Sequence, residues 1–109
     1  MSDIEEITSA LLKFRDEREW EQFHNSKDLA IAISTEASEL LELFLWKKNE
    51  EIDVSRLKEE LADVLSYCLL LAEKHNLNIS DIIKEKISQN NLKYPVSKAK
   101  GNATKYTEL

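Results

Sequence analysis

Glu36 with Glu39, and Glu60 with Asp63, are two pairs of acids spaced three residues apart, each inside an otherwise apolar stretch. Residues three apart on a helix lie on nearly the same face, so each pair would aim two carboxylates in one direction. If two such helices pack together, four carboxylates converge. Like charges about 5 Å apart repel by ~3 kcal/mol at an effective dielectric near 20, so the cluster needs protons, water or a cation. Carboxylates without His or Cys suit hard ions such as Mg²⁺ or Mn²⁺. Zinc is disfavoured, because His24 and His75 lack ligand spacing.

The spacing itself is common in this chain. Asp3 and Glu6, Asp16 and Glu19, Glu39 and Glu42, and Glu50 and Asp53 share it. The chosen pairs differ in their neighbours: Glu36 falls between Ile33 and Leu40 on one helical face, and Glu60 between Leu57 and Val64. An ionised carboxylate on a core-facing stripe is costly unless paired or coordinated. Two readings stand at this point: a metal site, or acids at the core edge that reach water or pair with lysines.

The elements that must position these acids are helices. With 109 residues, one Gly and one Pro, the chain has the length of one domain and few breakers, which predicts an all-α fold. Ser2 and Glu5 form a capping-box pattern ahead of a first helix over about 3–17. Asn25 or Ser26 caps a second helix reaching to about Lys47 and largely buried. After the charged break "KKNEEID", Asp53 or Ser55 caps a third, to about Lys74. Ser80 caps a fourth, over about 81–91, before Pro95. The domain is expected over residues 1–95, with 96–109 as a tail that is flexible or ordered on a ligand or a neighbouring subunit. Helices two and three are apolar on more than one face, which points to association, with a four-helix-bundle core completed by oligomerisation.

Composition narrows the function classes. A net charge of −6 argues against nucleic-acid binding. No apolar run approaches the roughly 18 residues needed to span a bilayer, and no leader pattern stands at the start. Cys68 is the single cysteine and lies in the apolar run "ADVLSYCLLLA", so it reads as a small hydrophobe in a reducing compartment. A cytoplasmic location is expected.

The strings "EASELLELFLW" and "EELADVLSYCLLLAEKHNL" resemble the all-α nucleotide pyrophosphohydrolases of the MazG-like superfamily, above all the deoxycytidine triphosphate pyrophosphatase branch. "EREWEQFHNSKDLA", "NNLKYP" and the terminal "KYTEL" extend the resemblance over nearly the whole chain. It implies hydrolysis of a nucleoside triphosphate, dCTP or a relative, between the α and β phosphates. It makes Glu36, Glu39, Glu60 and Asp63 the ligands of Mg²⁺, with Mn²⁺ as the second choice. One carboxylate, Glu39 first and Glu36 beside it, would take the proton of the attacking water. Glu42 and Glu59 should turn toward solvent. The resemblance also implies dimers paired into a homotetramer, a homodimer being the second choice. The segment between the acidic pairs is short relative to longer members of that branch.

A nucleobase calls for aromatic faces and a few placed polar groups. Trp20, His24, Trp46 and Tyr67 lie in the family strings and are the substrate-binding candidates, with Phe23 weaker. Tyr67 follows Asp63 by one helical turn and so points the same way. By resemblance, Asn90 and Lys93 meet the nucleotide, and Lys98, Lys100, Lys105 and Tyr106 could close over the triphosphate. Outside catalysis, the same residues suit a noncatalytic helical interaction module. Within catalysis, a broad-specificity pyrophosphatase is the other reading.

Overall fold

The computed structural model describes residues 2–48 and 51–109. Asn49 and Glu50, within the charged break expected between helices two and three, lie outside the described residues. Every regular element among the described residues is helical, with four main helices and one short one: α1 (Asp3–Glu17), α2 (Ser26–Glu42), α3 (Val54–Lys74), α4 (Ile79–Lys93) and α5 (Val96–Ala99). Single 3-10 turns stand at Glu21–Phe23 and Tyr106–Glu108. None of the described helices is long and apolar enough to cross a membrane. Contacts divide the chain into two units, Met1–Asn76 and Leu77–Leu109.

In the first unit the helix starts follow the chemistry of their caps. The Ser2 hydroxyl accepts from the Glu5 amide, and the Glu5 carboxylate accepts from the Ser2 amide. Asn25 accepts from the Asp28 amide to open α2, and Asp53 from the Ser55 amide to open α3. Helices α2 and α3 make the main packing of the unit. They run antiparallel: Ser26 at the start of α2 meets His75 just past α3 at 2.7 Å, while Glu36 further along meets the earlier Glu60 and Asp63. The core is small, with Leu29, Leu43, Leu70 and Ala72 buried. Helix α2 therefore carries one buried residue, Leu29, where the sequence suggests a largely covered helix.

Helix α2 also stops at Glu42, five residues short of its expected end. From Leu43 to Lys47 most amides reach back three residues, as in a tightened last turn, and Trp46 takes φ 63°. Such backbone favours glycine, and holding a bulky aromatic there costs of order 1–3 kcal/mol.

In the second unit, Asn78 rather than Ser80 caps α4 by accepting from the Asp81 amide. The helix ends at Lys93, ahead of Tyr94 and Pro95, because the residue before a proline is pushed toward extended backbone. Past Pro95 the chain forms α5 and the 3-10 turn at Tyr106–Glu108. Gly101 takes φ 81°, the Asn102 side chain donates to the Lys98 carbonyl and accepts from the Thr104 amide, and Tyr106 packs edge-on against Tyr94 at 5.9 Å.

Candidate active site

The antiparallel pairing of α2 and α3 brings the two acidic pairs together. Glu36, Glu60 and Asp63 each present a carboxylate oxygen within 4.8 Å of the other two. Glu39 sits on the exposed side of the same group, close enough to act on both Glu36 and Glu60. Glu36 Oε2 and Glu60 Oε2 are buried without a hydrogen-bond partner. Burial first, then the Glu39, Asp63 and Glu60 carboxylates, push the Glu36 pKa up from 4.5 to about 7. Glu60 is raised by burial and by Glu39 and Asp63, against an opposing pull from Arg56. Two orphaned, covered carboxylate oxygens facing a third within 4.8 Å fit a hard divalent cation, which would satisfy the oxygens and relieve the repulsion.

Beside the acids lies a cavity of about 280 Å³. Asp63 belongs to both. Ser66, Tyr67 and Leu70 continue its α3 wall, and Leu11, Phe14, Trp20 and His24 form the facing wall from α1 and the chain after it. The volume is near the lower end of small-molecule pockets and suits a base with part of its sugar.

Trp20 reaches this wall because of how α1 ends. The Trp20 amide donates to the Arg15 carbonyl and the Glu19 amide to the Asp16 carbonyl, with Glu19 at φ 54°. This is a Schellman ending with Glu where Gly is usual, and it folds the chain back over the last turn. Trp20 thereby meets Phe14 edge-on at 5.7 Å, while Arg18 stacks on Phe14 at 3.7 Å and donates to its carbonyl. His24 closes the turn with Nδ1 buried and unpartnered. Burial lowers its pKa, helped by Arg15 and Lys74, so the ring is neutral at neutral pH.

Of the residues expected from sequence, the structure thus brings together Glu36, Glu39, Glu60 and Asp63, and gathers Trp20, His24 and Tyr67 around the adjoining cavity. Trp46 is not among that cavity's lining residues and stands fully exposed. Phe23 is exposed too. Asn90 and Lys93 belong to the second unit, where the Lys93 ammonium lies 4.8 Å from the centre of the Tyr106 ring and Lys105 lies 5.7 Å from it. Sequence reasoning missed Arg15, Phe14 and Ser66. The four-residue spacing of Phe14 and Arg18 was the available signal for the aromatic wall.

An all-helical chain that pools the acids of two antiparallel helices beside an aromatic cavity is the class these features define. A model of the MazG-like family matches residues 31–109. The dCTP pyrophosphatase 1 of Bos taurus is 37% identical over 97% of this chain and 68% of its own length. The human protein of that name is 36% identical over 97% and 67%. A pyrophosphatase from Archaeoglobus fulgidus has a solved structure that matches with a TM-score of 0.82 at 37% identity, covering 87% of this chain and 94% of its own. The chain belongs to the MazG-like family.

Proposed function

We propose that this chain hydrolyses dCTP and related deoxynucleoside triphosphates to the monophosphate and pyrophosphate, with Mg²⁺ held by Glu36, Glu39, Glu60 and Asp63. The enzyme class, a nucleoside triphosphate pyrophosphatase, follows from its relatives. The observation that carries the finer reading is the position of Asp63, which belongs both to the acidic group and to the wall of the aromatic cavity. A nucleoside in that cavity would have its phosphates beside the carboxylates.

When bound, the ion supplies the positive charge that lets a triphosphate of about four negative charges enter an acidic pocket, stabilises the leaving pyrophosphate and acidifies the attacking water. The protein's own part is positional. Glu36 and Glu60 offer oxygens already stripped of water, and Asp63 sets the register between phosphate and base. Glu39, the exposed member, is placed to take the proton of the attacking water. Trp20 and Tyr67 offer faces to the base and sugar, and neutral His24 offers Nδ1 as a hydrogen-bonding position. Asn90 and Lys93 keep their nucleotide-contact roles on the resemblance alone.

The exposed apolar residues Ile31, Leu41, Leu45, Leu61 and Leu65 on α2, α3 and the turn between them, together with Trp46, support a homo-oligomer, while the tetramer stands before the dimer on the resemblance alone. A cytoplasmic place suits the free Cys68 thiol.

The deciding experiment is a panel of common and cytosine-modified nucleoside triphosphates assayed for pyrophosphate with Mg²⁺ and with Mn²⁺. Pyrophosphate should be the first product and dCTP or a close analogue the best substrate. Orthophosphate as the first product would overturn the reaction, and equal turnover of all bases would leave a broad-specificity enzyme.

A further inference from the structure

Arg15 makes every ion pair found among the described residues. Its Nη2 lies 2.8 Å from Asp16 Oδ1 and 3.7 Å from Glu21 Oε2, and its Nη1 lies 3.8 Å from Glu73 Oε2. These acids stand on three pieces of chain: α1 itself, the 3-10 turn after it, and α3. The arginine side chain is only 12% exposed. It sits between the aromatic cavity and a second, polar one of about 190 Å³, and helps line both.

Helix α1 needs such a tie. It has no buried residue, and Ile4, Ile7 and Phe14 remain exposed, so apolar packing holds it only weakly against α3. Yet α1 and the turn after it carry Leu11, Phe14, Trp20 and His24, which with Arg15 itself form the wall of the aromatic cavity that faces Asp63 and Tyr67.

We propose that Arg15 is a positioning residue for the nucleotide: drawn to Glu73 on α3 and to Glu21 on the turn, its guanidinium sets the separation of the two cavity walls without touching the reacting phosphates. The proposal rests on the reading that this cavity takes the nucleoside. Ion pairs of 3.7–3.8 Å are weak when exposed, but a guanidinium this well covered is poorly screened by solvent. Without Arg15, the carboxylates of Asp16, Glu21 and Glu73 face one another uncompensated and push the turn from α3. Without Glu73, the tie between α1 and α3 is lost. Either change loosens the wall, while the carboxylates that meet the phosphates, on α2 and α3, stay where they are. An arginine that bound phosphate directly would behave oppositely, since freeing it from Glu73 would tighten nucleotide binding.

Steady-state kinetics with dCTP and Mg²⁺ on Arg15→Gln, Glu73→Gln and the double variant test this. Each single change should raise KM by roughly 3- to 10-fold with kcat within about twofold. The double variant should be no worse than Arg15→Gln alone, because both remove one tie. A lowered or unchanged KM in Glu73→Gln overturns the proposal, as does a loss confined to kcat. Should Arg15→Gln not fold, Glu73→Gln carries the test alone, its side chain being 39% exposed. A second measurement needs no turnover. In a Trp46→Phe background without nucleotide, acrylamide should quench Trp20 more strongly once Glu73→Gln is added, and unchanged quenching overturns the clamp. If the unaltered protein fails to hydrolyse dCTP, the functional reading falls, while the quenching still reports on Arg15.

Discussion

Glu36 shows what the acidic site costs the fold. Its carboxyl is raised from 4.5 to about 7, so between these pH values the folded chain binds protons that the unfolded chain has released. The metal-free protein should therefore be most stable below about pH 4.5 as far as this group is concerned, and lose that contribution as pH rises through about 7. Thermal melts in a chelator across this range should show the fall, and Glu36→Gln should flatten it. Saturating Mg²⁺ should flatten it too, by binding the ionised form. The same crowding separates stability from activity: Asp63→Asn and Glu39→Gln should each cut pyrophosphate release by at least roughly 100-fold, while the melting temperature holds or rises. Full activity in both variants would remove these residues from the chemistry.

Local backbone chemistry at the helix ends decides which side chains reach the site. Asn25 caps the helix that carries Glu36 and Glu39, so Asn25→Ala should cost about 1 kcal/mol in denaturant melts. The ending of α1 delivers Trp20 to the cavity and places Glu19 at φ 54°. Glu19→Gly should relieve that backbone and raise stability by up to about 1 kcal/mol, with the Phe14 and Trp20 contact kept. Trp46 is the contrasting case, a strained aromatic at φ 63° left wholly exposed. Strain at a solvent-facing tryptophan makes sense where a partner or ligand covers it.

For the whole molecule, the exposed apolar residues of α2 and α3 make association the main expectation. Leu61 and Leu65 lie one turn apart on α3, both exposed, so Leu65→Glu should shift sedimentation toward smaller species without melting the helices. Ligand linkage gives an independent check. Mg²⁺ with dCTP at 100 times its dissociation constant should stabilise the folded state by about 2.7 kcal/mol, visible as a concentration-dependent rise in melting temperature. No rise with any nucleotide would favour a noncatalytic helical module.

Much of this was legible in the sequence because it is local. The helices, the Ser2, Asn25 and Asp53 caps, and the three-residue spacing of the acids all depend on neighbours within a turn or two. Apolar neighbours marked Glu36 and Glu60 as inward-facing, and each proved to hold a buried, unpartnered oxygen. The tertiary structure decided what depends on residues far apart in the chain. Only the antiparallel pairing of α2 with α3 puts Glu36 within 4.8 Å of Asp63, and only the fold of α1 against α3 sets Trp20 and His24 opposite Tyr67. Arg15 illustrates the difference: its bond to Asp16 could be read from adjacency, whereas its tie to Glu73 exists because packing covers the guanidinium and holds α3 within its reach.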